Sequence, residues 1–274
     1  MTGNKKILTG LDHSMYEHPF DKEALQKLES IPMLTTVFKW ITTNTIERIY
    51  TIQYTGSNLK ITKSSYPKLY QYLLDACKIL DLKKVPDMYI NWGYDINACT
   101  IGSENPIIIL DSGLIDLCNE DEIMFVIGHE AGHICSNHML YHMMAQVINY
   151  FIDATPGGAL IAGGLQYALY YWYRMSEFTA DRTGLLCCQN PDAMVSAFIK
   201  MAGLPHNEYG QINTDAFIEQ ARDFKTLDYE GINKIVKILS IADESHPWTV
   251  MRSAELLKWI DEGGYEKIIK ESCY

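Results

Sequence analysis

The segment His129-Glu130-Ala131-Gly132-His133 has the pattern His-Glu-x-x-His, within a run of helical periodicity. Because positions i and i+4 share one face of a helix, both imidazoles can reach a single metal ion. The glutamate between them points toward the space where a metal-bound water would sit, and a carboxylate there can take a proton from that water. The pattern therefore predicts a zinc hydrolase site with two histidine ligands and a third ligand from elsewhere.

The sequence before this pattern predicts where its helix begins. Asn119 is a suitable N-cap, and the acidic residues 120–122 fill the first turn, where the helix dipole favours negative charge. Apolar residues then recur from Ile123 at the spacing of one helix face. We expect a buried helix over about 119–137. The alternative is a core helix with two incidental histidines, and it would leave the Glu130 carboxylate buried without a partner, which is costly.

A second pattern, Glu-x-x-x-Asp, consists of Glu177 and Asp181 on another predicted helix. The two carboxylates share one helix face. One of them would supply the third ligand, and the other would hydrogen-bond the second ring nitrogen of a ligand histidine. Alone, this pattern is typical of a solvated helix face. Its position after the His-Glu-x-x-His helix favours the metal site.

Two further histidines, His138 and His142, are alternative ligands. His138 lies five residues beyond His133 and falls on a different face of a continuing helix. Zincins with three histidines place the third one six residues beyond the second, where this chain has Met139. We therefore predict that His138 and His142 are surface or helix-end residues.

A third element, Ser245-His246-Pro247, precedes a predicted helix that contains Arg252. Pro247 fixes a turn at the helix start, and a histidine just before it is placed to donate to a developing oxyanion. The alternative is an ordinary turn histidine.

In this order, the motifs resemble those of the HtpX-like and CAAX-prenyl-protease-like zinc endopeptidases, metallopeptidase family forty-eight, within the gluzincins. The resemblance covers roughly residues 87 to 258, and His18-Pro19 and Asp21 resemble the soluble bacterial and chloroplast members. It rests on Asn97-Ala98, the strand 107–110, Gly113-Leu114-Ile115, the helix from Asn119 through His133, Glu177 to Asp181, His246-Pro247 and Arg252.

The resemblance implies a role for each matching residue around one zinc ion per chain. His129, His133 and Glu177 would be the zinc ligands. Glu130 would be the general base and then the proton shuttle, and Asp181 would orient a ligand histidine.

The resemblance also implies residues that act on the substrate. His246 would stabilise the tetrahedral intermediate, and Arg252 would support the cleft. An edge strand that pairs with the substrate backbone would consist of Asn97, Ala98, Cys99 and Thr100. Many members carry an aromatic residue where this chain has Cys99, so the preference of that subsite does not carry over.

The implied fold class is α+β: a mostly helical zincin-like domain with a small mixed β-sheet and the His-Glu-x-x-His helix. Residues 1–86 would form an N-terminal helical extension packed on the metallopeptidase domain, residues 87–274. Short strands are predicted at Met88–Trp92, Ala98–Ile101 and Ile107–Leu110. Helices are predicted at Asp21–Glu29, Met33–Arg48 and Tyr66–Leu82, with a turn at Gly56–Asn58.

Charge and cysteine content narrow the partners and the compartment. The 274 residues carry a net charge of −11, which argues against binding to nucleic acid or to anionic lipid by charge. The seven cysteines are odd in number and contain no Cys-x-x-Cys, and the N-terminus lacks the apolar stretch of a signal peptide. We therefore expect a reducing compartment, the cytoplasm.

Residues 154–173 contain no charge and are long enough to span a bilayer. Since His133 and Glu177 must meet at one metal, a single crossing between them is excluded. We expect a helical pair folded over the active-site helix. The alternative is an interfacial hairpin, which would associate the protein peripherally with a membrane.

The sequence thus predicts a zinc metalloendopeptidase that hydrolyses peptides or unfolded proteins through a zinc-activated water, in protein quality control. The alternative is a non-catalytic zinc-binding scaffold or chaperone-like protein. Asp12, His13, Glu17 and His18 leave two readings of the N-terminal segment: it covers the cleft in a latent form, or it anchors the first helix.

Overall fold

A computed structural model of the protein describes residues 5–30, 45, 47–154, 158–226 and 249–271. Within these ranges the helices are α1 (His13–Tyr16), α2 (Pro19–Glu29), α3 (Glu47–Ser57), α4 (Pro67–Ile79), α5 (Ser112–Leu117), α6 (Glu120–Cys135), α7 (Met139–Ala154), α8 (Gly158–Cys188), α9 (Pro191–Met201), α10 (Thr214–Thr226), α11 (Thr249–Asp261) and α12 (Gly264–Glu271). The strands are β1 (Leu59–Ile61), β2 (Asp87–Asn91), β3 (Ala98–Ile101) and β4 (Ile107–Asp111).

The four strands form one mixed sheet in the order β1-β2-β4-β3. The central strands β2 and β4 are parallel, with Met88 opposite Ile108. The outer strands β1 and β3 are antiparallel to their neighbours. The apolar residues of β4 are buried on both faces, as expected for a central strand. This arrangement confirms the predicted α+β class and places β3 at one edge of the sheet.

Three of the strands were predictable, and β1 was not. Strands at 88–92, 98–101 and 107–110 are confirmed to within one residue. β1 has only three residues, of which Ile61 alone is buried, so it shows no alternating pattern. It pairs Ile61 with Met88 and thereby joins the sheet from the N-terminal side of residue 87. The division of the chain at that residue remains a prediction.

Of the predictions for the N-terminal part, one helix lies mostly outside the described residues and one turn needs correction. Most of the helix predicted over Met33–Arg48 lies outside the described residues. The turn predicted at 56–58 is wrong in its first two residues, because α3 continues to Ser57. Tyr54 C=O accepts from Asn58 N–H at 3.1 Å, which extends the helical hydrogen bonding past Gly56.

The His-Glu-x-x-His helix α6 is the centre of the fold. Asn119 caps its start: its side chain accepts from the N–H of Glu122, and the Glu122 carboxylate accepts from the N–H of Asn119. This reciprocal capping box satisfies two helix-end donors. α6 packs against α4, α8, α9 and β3 and is buried along most of its length. The predicted start at 119–122 is confirmed, while the helix ends at Cys135, two residues earlier than predicted.

Glycines on facing sides allow α6 and α8 to approach closely. A Cβ on Gly132 would collide with the Thr183 side chain of α8, and one on Gly128 would collide with Cys187. From the other helix, Gly184 lies against Phe125. Asp181 and Glu177 lie about one and two turns before Gly184 on α8. The close approach of the helices therefore brings them next to the histidines of α6.

We expect Gly132→Ala to lower the free energy of unfolding by about 1–3 kcal/mol, because the added methyl group overpacks the contact between two rigid helices. The matched control is Gly56→Ala in α3, where a Cβ meets no atom within 4 Å. That change should raise stability by about 0.5–1 kcal/mol, since alanine favours helix over glycine. Urea unfolding of the metal-free proteins measures both. Equal stability of Gly132→Ala and the parent chain would contradict the close contact.

Residues 158–173 of the uncharged stretch lie in one helix, α8. α7 and α8 contact each other, and α8 runs without interruption for 31 residues. Their described side chains form an apolar cluster with α2 that includes Leu28, Tyr141, Met144, Leu169, Trp172 and Phe178. Among the described helices, none is long and apolar enough to cross a membrane.

Candidate metal centre

Three predicted ligands lie together where α6 meets α8. His129 Nε2 and His133 Nε2 are 3.2 Å apart. The Glu177 carboxylate reaches them with Oε2 at 3.5 Å from His129 Nε2 and Oε1 at 3.4 Å from His133 Nε2. All three side chains are buried. One helix supplies both imidazoles from successive turns, and the long helix α8 supplies the carboxylate.

The spacing of the two Nε2 atoms and the Glu177 carboxylate oxygens fits a tetrahedral zinc ion. Ligands at about 2.0–2.1 Å from a tetrahedral centre lie roughly 3.3 Å from one another. The three observed separations of 3.2, 3.4 and 3.5 Å agree with that value. Two imidazoles and a carboxylate are also a donor set that suits zinc at a catalytic site, with three protein ligands and an open fourth position.

Asp181 fixes the orientation of His129. The Nδ1 of His129 lies 3.0 Å from Asp181 Oδ1, so its Nδ1–H donates to the carboxylate and Nε2 keeps its lone pair for a metal. Arg252 of α11 holds the same carboxylate, with Nε donating to Asp181 Oδ2 at 2.8 Å. Its Nη1 also lies 3.3 Å from Glu177 Oε2. Arg252 therefore contacts both carboxylates: Asp181, which orients His129, and Glu177, which lies beside both imidazoles.

The charges in this cluster shift the pKa values of its members. Burial raises the pKa of Asp181, but Arg252 and His129 outweigh burial and lower it below its ordinary value. Burial lowers the pKa of His129, yet hydrogen bonds to Asp181 and Glu177 raise it to about 9. His133 differs, because burial outweighs Glu177 and lowers its pKa. A metal binds the neutral form of histidine, so metal binding at His129 competes with protonation of its ring.

We expect Arg252→Lys to weaken zinc binding by about 10- to 100-fold, the usual cost of losing a group that orients a ligand. The guanidinium contacts Asp181 and Glu177 at once through separate nitrogens, whereas a lysine ammonium is a single point charge. Competition against a chromophoric chelator measures the zinc dissociation constant. Arg222→Lys is the matched control, because Arg222 forms an exposed ion pair with Asp261. Unchanged affinity in Arg252→Lys would contradict this role.

Glu130 lies beside the ligands and is held by the edge strand β3. The Thr100 hydroxyl donates to Glu130 Oε2 at 2.7 Å, and both side chains are buried. This hydrogen bond fixes the carboxylate that was predicted to be the general base. It also shows that the Thr100 side chain is engaged within the site.

A cavity of about 170 Å³ opens next to Glu130. Its walls include Asn97 and Ala98 at the start of the edge strand, together with His129, Glu130 and Arg252. The first two residues of the predicted substrate strand and one predicted metal ligand, His129, thus line one space. Cys99 is half-buried, and burial together with the nearby Glu130 carboxylate raises the pKa of its thiol to about 12.

The prediction that His138 and His142 lie at the surface or a helix end is wrong as to the surface. Both are buried, with 1% and 4% of the residue surface exposed. The reason is the end of α6. Asn137 adopts φ +54°, and the N–H groups of Asn137 and His138 bond to the carbonyls of Ile134 and His133. This Schellman turn reverses the chain and returns His138 to His133, one of the predicted ligands.

Other site residues were missed by sequence reasoning. Tyr173, one turn before Glu177 on α8, is half-buried and stacks on His142 with ring centroids 3.9 Å apart. Burial and then the carboxylates of Glu177 and Glu130 raise the pKa of Tyr173. Its helical spacing from Glu177 was the available signal.

The predicted oxyanion residue His246 lies outside the described residues.

Residues 16–18 of the N-terminal segment contact α8 and α11. His18 N–H donates to Thr179 Oγ1 at 3.0 Å, and His18 Nε2 lies 3.4 Å from Glu255 Oε2. The Arg182 guanidinium donates to the carbonyls of Tyr16 and Glu17. These contacts fasten the segment before α2 to the helix that carries Glu177.

Comparison with known proteins agrees with this geometry. Residues 67–260 match the model of Peptidase family M48. The chain is 30% identical over 269 residues to a protein of Arabidopsis thaliana named plastoglobule-localized metallopeptidase 48, chloroplastic, covering 97% of this chain and 78% of that protein. No solved structure matches the chain.

Two bacterial proteins named protease HtpX are also similar. The one from Pseudomonas fluorescens is 26% identical over 172 residues, or 49% of this chain and 58% of that protein. The one from Xylella fastidiosa is 28% identical over 157 residues, or 45% of this chain and 53% of that protein. The matched region thus spans little more than half the length of these two relatives. With the family match over most of the chain, these findings confirm that it belongs to peptidase family M48 and is a metalloprotease.

Proposed function

We propose that the protein is a zinc-dependent endopeptidase that holds one zinc ion between His129, His133 and Glu177. The observation that carries this proposal is the set of three buried side chains whose ligand atoms lie close together: the two Nε2 atoms are 3.2 Å apart, and the Glu177 carboxylate reaches them with one oxygen each, at 3.5 and 3.4 Å. These separations match those between the ligands of a tetrahedral zinc ion. The family to which the chain belongs consists of metallopeptidases.

The residues of the chain would divide the work of hydrolysis. A zinc ion bound there would polarise the scissile carbonyl and lower the pKa of the attacking water. Glu130, oriented by Thr100, takes the proton from that water and passes it to the leaving amine. Asp181 and Arg252 keep His129 and Glu177 in place. His246 would stabilise the tetrahedral intermediate, a role that the family resemblance alone supports.

We further propose that the substrate binds as an extended strand along Asn97, Ala98, Cys99 and Thr100. β3 is at the edge of the sheet, and the cavity beside Glu130 is lined by the first two of these residues. Backbone pairing at an edge strand gives affinity with little dependence on side chains. Such a site suits unfolded polypeptides, as in protein quality control.

The rival is a scaffold whose metal is structural. A structural zinc site is closed by four protein ligands, whereas a catalytic site keeps an open position. The 170 Å³ cavity that His129 and Glu130 share favours the open site. His138 lies near His133 but faces it with Nδ1, at the ring nitrogen opposite the proposed ligand atom.

One experiment tests the activity and the substrate form together. A disulfide-bonded ribonuclease is offered in its native state and after reduction and alkylation. We expect the unfolded form to be cleaved and the native form to resist, because only the former supplies an extended strand. A chelator should stop cleavage, and added zinc should restore it. Cleavage that persists in the chelator after complete removal of zinc would contradict the proposal.

We also propose a reducing compartment such as the cytoplasm, with the peptide as the partner and no stable membrane contact. The support is chemical: the cysteines at positions 77, 99, 118, 135, 187 and 188 are free thiols. Free thiols persist where glutathione and thioredoxin keep cysteines reduced.

A further inference from the structure

The second ligand histidine has a buried histidine behind it. His133 Nδ1, the ring nitrogen opposite the proposed ligand atom, lies 2.9 Å from His138 Nδ1. His138 is 1% exposed and follows directly on the turn that ends α6. The first ligand, His129, meets the Asp181 carboxylate directly at the corresponding nitrogen. His133 instead meets an imidazole.

A carboxylate lies on the far side of that imidazole. His138 Nε2 is 3.2 Å from Asp21 Oδ2, and Asp21 belongs to the N-terminal helix α2. The Thr179 hydroxyl donates to the same oxygen at 2.6 Å. Thr179 Oγ1 accepts in turn from His18 N–H at 3.0 Å. Asp21 is 1% exposed, so this carboxylate is held by its hydrogen bonds within the core.

The proton positions along this chain follow from metal ligation. A neutral histidine that ligates through Nε2 carries its proton on Nδ1. His133 Nδ1–H then donates to His138 Nδ1, which must be the acceptor. His138 therefore carries its proton on Nε2 and donates it to Asp21 Oδ2. Every pair in the series has one donor and one acceptor.

We propose that His138 and Asp21 are positioning residues for the zinc ligand His133. The series His133–His138–Asp21, here called the His133 relay, does for this ligand what Asp181 does for His129. A carboxylate that holds a ligand histidine fixes its ring and increases its basicity, and here an imidazole transmits that effect. The relay also makes the N-terminal helix α2 part of the metal centre. This inference rests on the proposed zinc site.

A second metal site is the competing explanation for the same residues. His13, Asp21 and His138 have ligand atoms within 4.8 Å of one another. His13 Nε2 and Asp21 Oδ1 are buried atoms without a hydrogen-bond partner in the described structure. However, the relay places a proton on His138 Nε2, so that nitrogen has no lone pair for a second ion while His133 ligates zinc. The relay therefore predicts one zinc per chain.

The test is the zinc dissociation constant of purified variants, measured by competition against a chromophoric chelator. His138→Phe keeps a ring but removes both nitrogens, and Asp21→Asn keeps the shape but removes the charge. Each should weaken zinc binding by about 10- to 100-fold. His138→Asn retains an acceptor beside His133 Nδ1 and should recover part of the loss. In the double variant, Asp21→Asn should add nothing to His138→Phe, because the carboxylate acts through that imidazole.

His142→Phe is the matched control. His142 is also buried and its ring packs on His133 with centroids 4.8 Å apart, but its Nε2 pairs with Ser176 Oγ at 2.8 Å. Its zinc affinity should stay that of the parent chain. The unfolding midpoint of each metal-free variant separates loss of folding from loss of affinity. If His138→Phe does not fold, Asp21→Asn and His138→Asn carry the test.

Three results would overturn the relay: unchanged zinc affinity in Asp21→Asn and His138→Asn, fully additive losses in the double variant, or an equal loss in His142→Phe. Two zinc ions per chain, with one removed by His13→Ala, would also overturn it in favour of the second site. Zinc that remains bound in His133→Ala would refute the proposed zinc site itself, so the two failures are distinguishable.

Discussion

Replacing Glu130 by glutamine is expected to reduce peptide hydrolysis by roughly 10²- to 10⁴-fold, the usual contribution of a general base. The amide has nearly the shape of the carboxylate, and the Thr100 hydroxyl that now donates to Glu130 at 2.7 Å can donate to the amide oxygen. The glutamine amide, however, cannot accept a proton from water. Because Glu130 is not one of the three proposed ligands, zinc content should not change. Initial rates on an unfolded substrate, together with metal analysis, measure both quantities.

Glu120→Gln is the control for that experiment. Glu120 begins the same helix, but its side chain is 45% exposed and forms an ion pair with Lys68 at 2.7 Å. Its replacement should leave both turnover and zinc content unchanged. If the Glu130→Gln protein turns over at the parent rate, another group is the base and the proposed division of roles fails.

The second large effect is expected for Glu177→Ala, which removes the proposed ligand that α8 contributes. If the three proposed protein ligands share a zinc-binding free energy of about 12 kcal/mol, each contributes about 4 kcal/mol, or roughly 10³-fold in affinity. The variant should lose most of its zinc on dialysis and be inactive. The alanine also leaves Arg252 without one of its two carboxylates. Metal content after dialysis and the zinc dissociation constant measure the effect.

The activity and zinc content of Glu177→Ala are compared with those of Glu130→Gln. Both variants should hydrolyse peptides far more slowly than the parent chain, but only Glu177→Ala should be depleted of zinc. A Glu177→Ala protein that retains one tightly bound zinc would assign the third ligand to another residue, such as a histidine.

The sequence was sufficient for those parts of the site that lie on regular helices. His129 and His133 are one turn apart, as are Glu177 and Asp181, so helical periodicity alone places each pair on one face. Asn119 and its acidic neighbours marked the start of α6 by local capping chemistry. These inferences need no knowledge of how the helices pack.

The parts that depend on chain reversal or on distant partners could not be obtained in this way. His138 was assigned to the wrong environment because the helix was extended to about 137, while Asn137 ends it in a left-handed turn. Asparagine is a recognised residue at that position, so the signal was present. Asp21 is 117 positions before His138, and no local pattern relates them. Likewise, Thr100 holds Glu130 only because the sheet edge packs against α6.

The most direct test of the central claim is a crystal structure of the zinc-loaded protein with anomalous data collected at the zinc edge. We predict one anomalous peak per chain, equidistant from His129 Nε2, His133 Nε2 and a Glu177 oxygen at about 2.0–2.2 Å, with a non-protein fourth ligand facing Glu130. A peak between His13, Asp21 and His138, or a fourth protein ligand such as His138 or His246 at the predicted position, would contradict a catalytic zinc site.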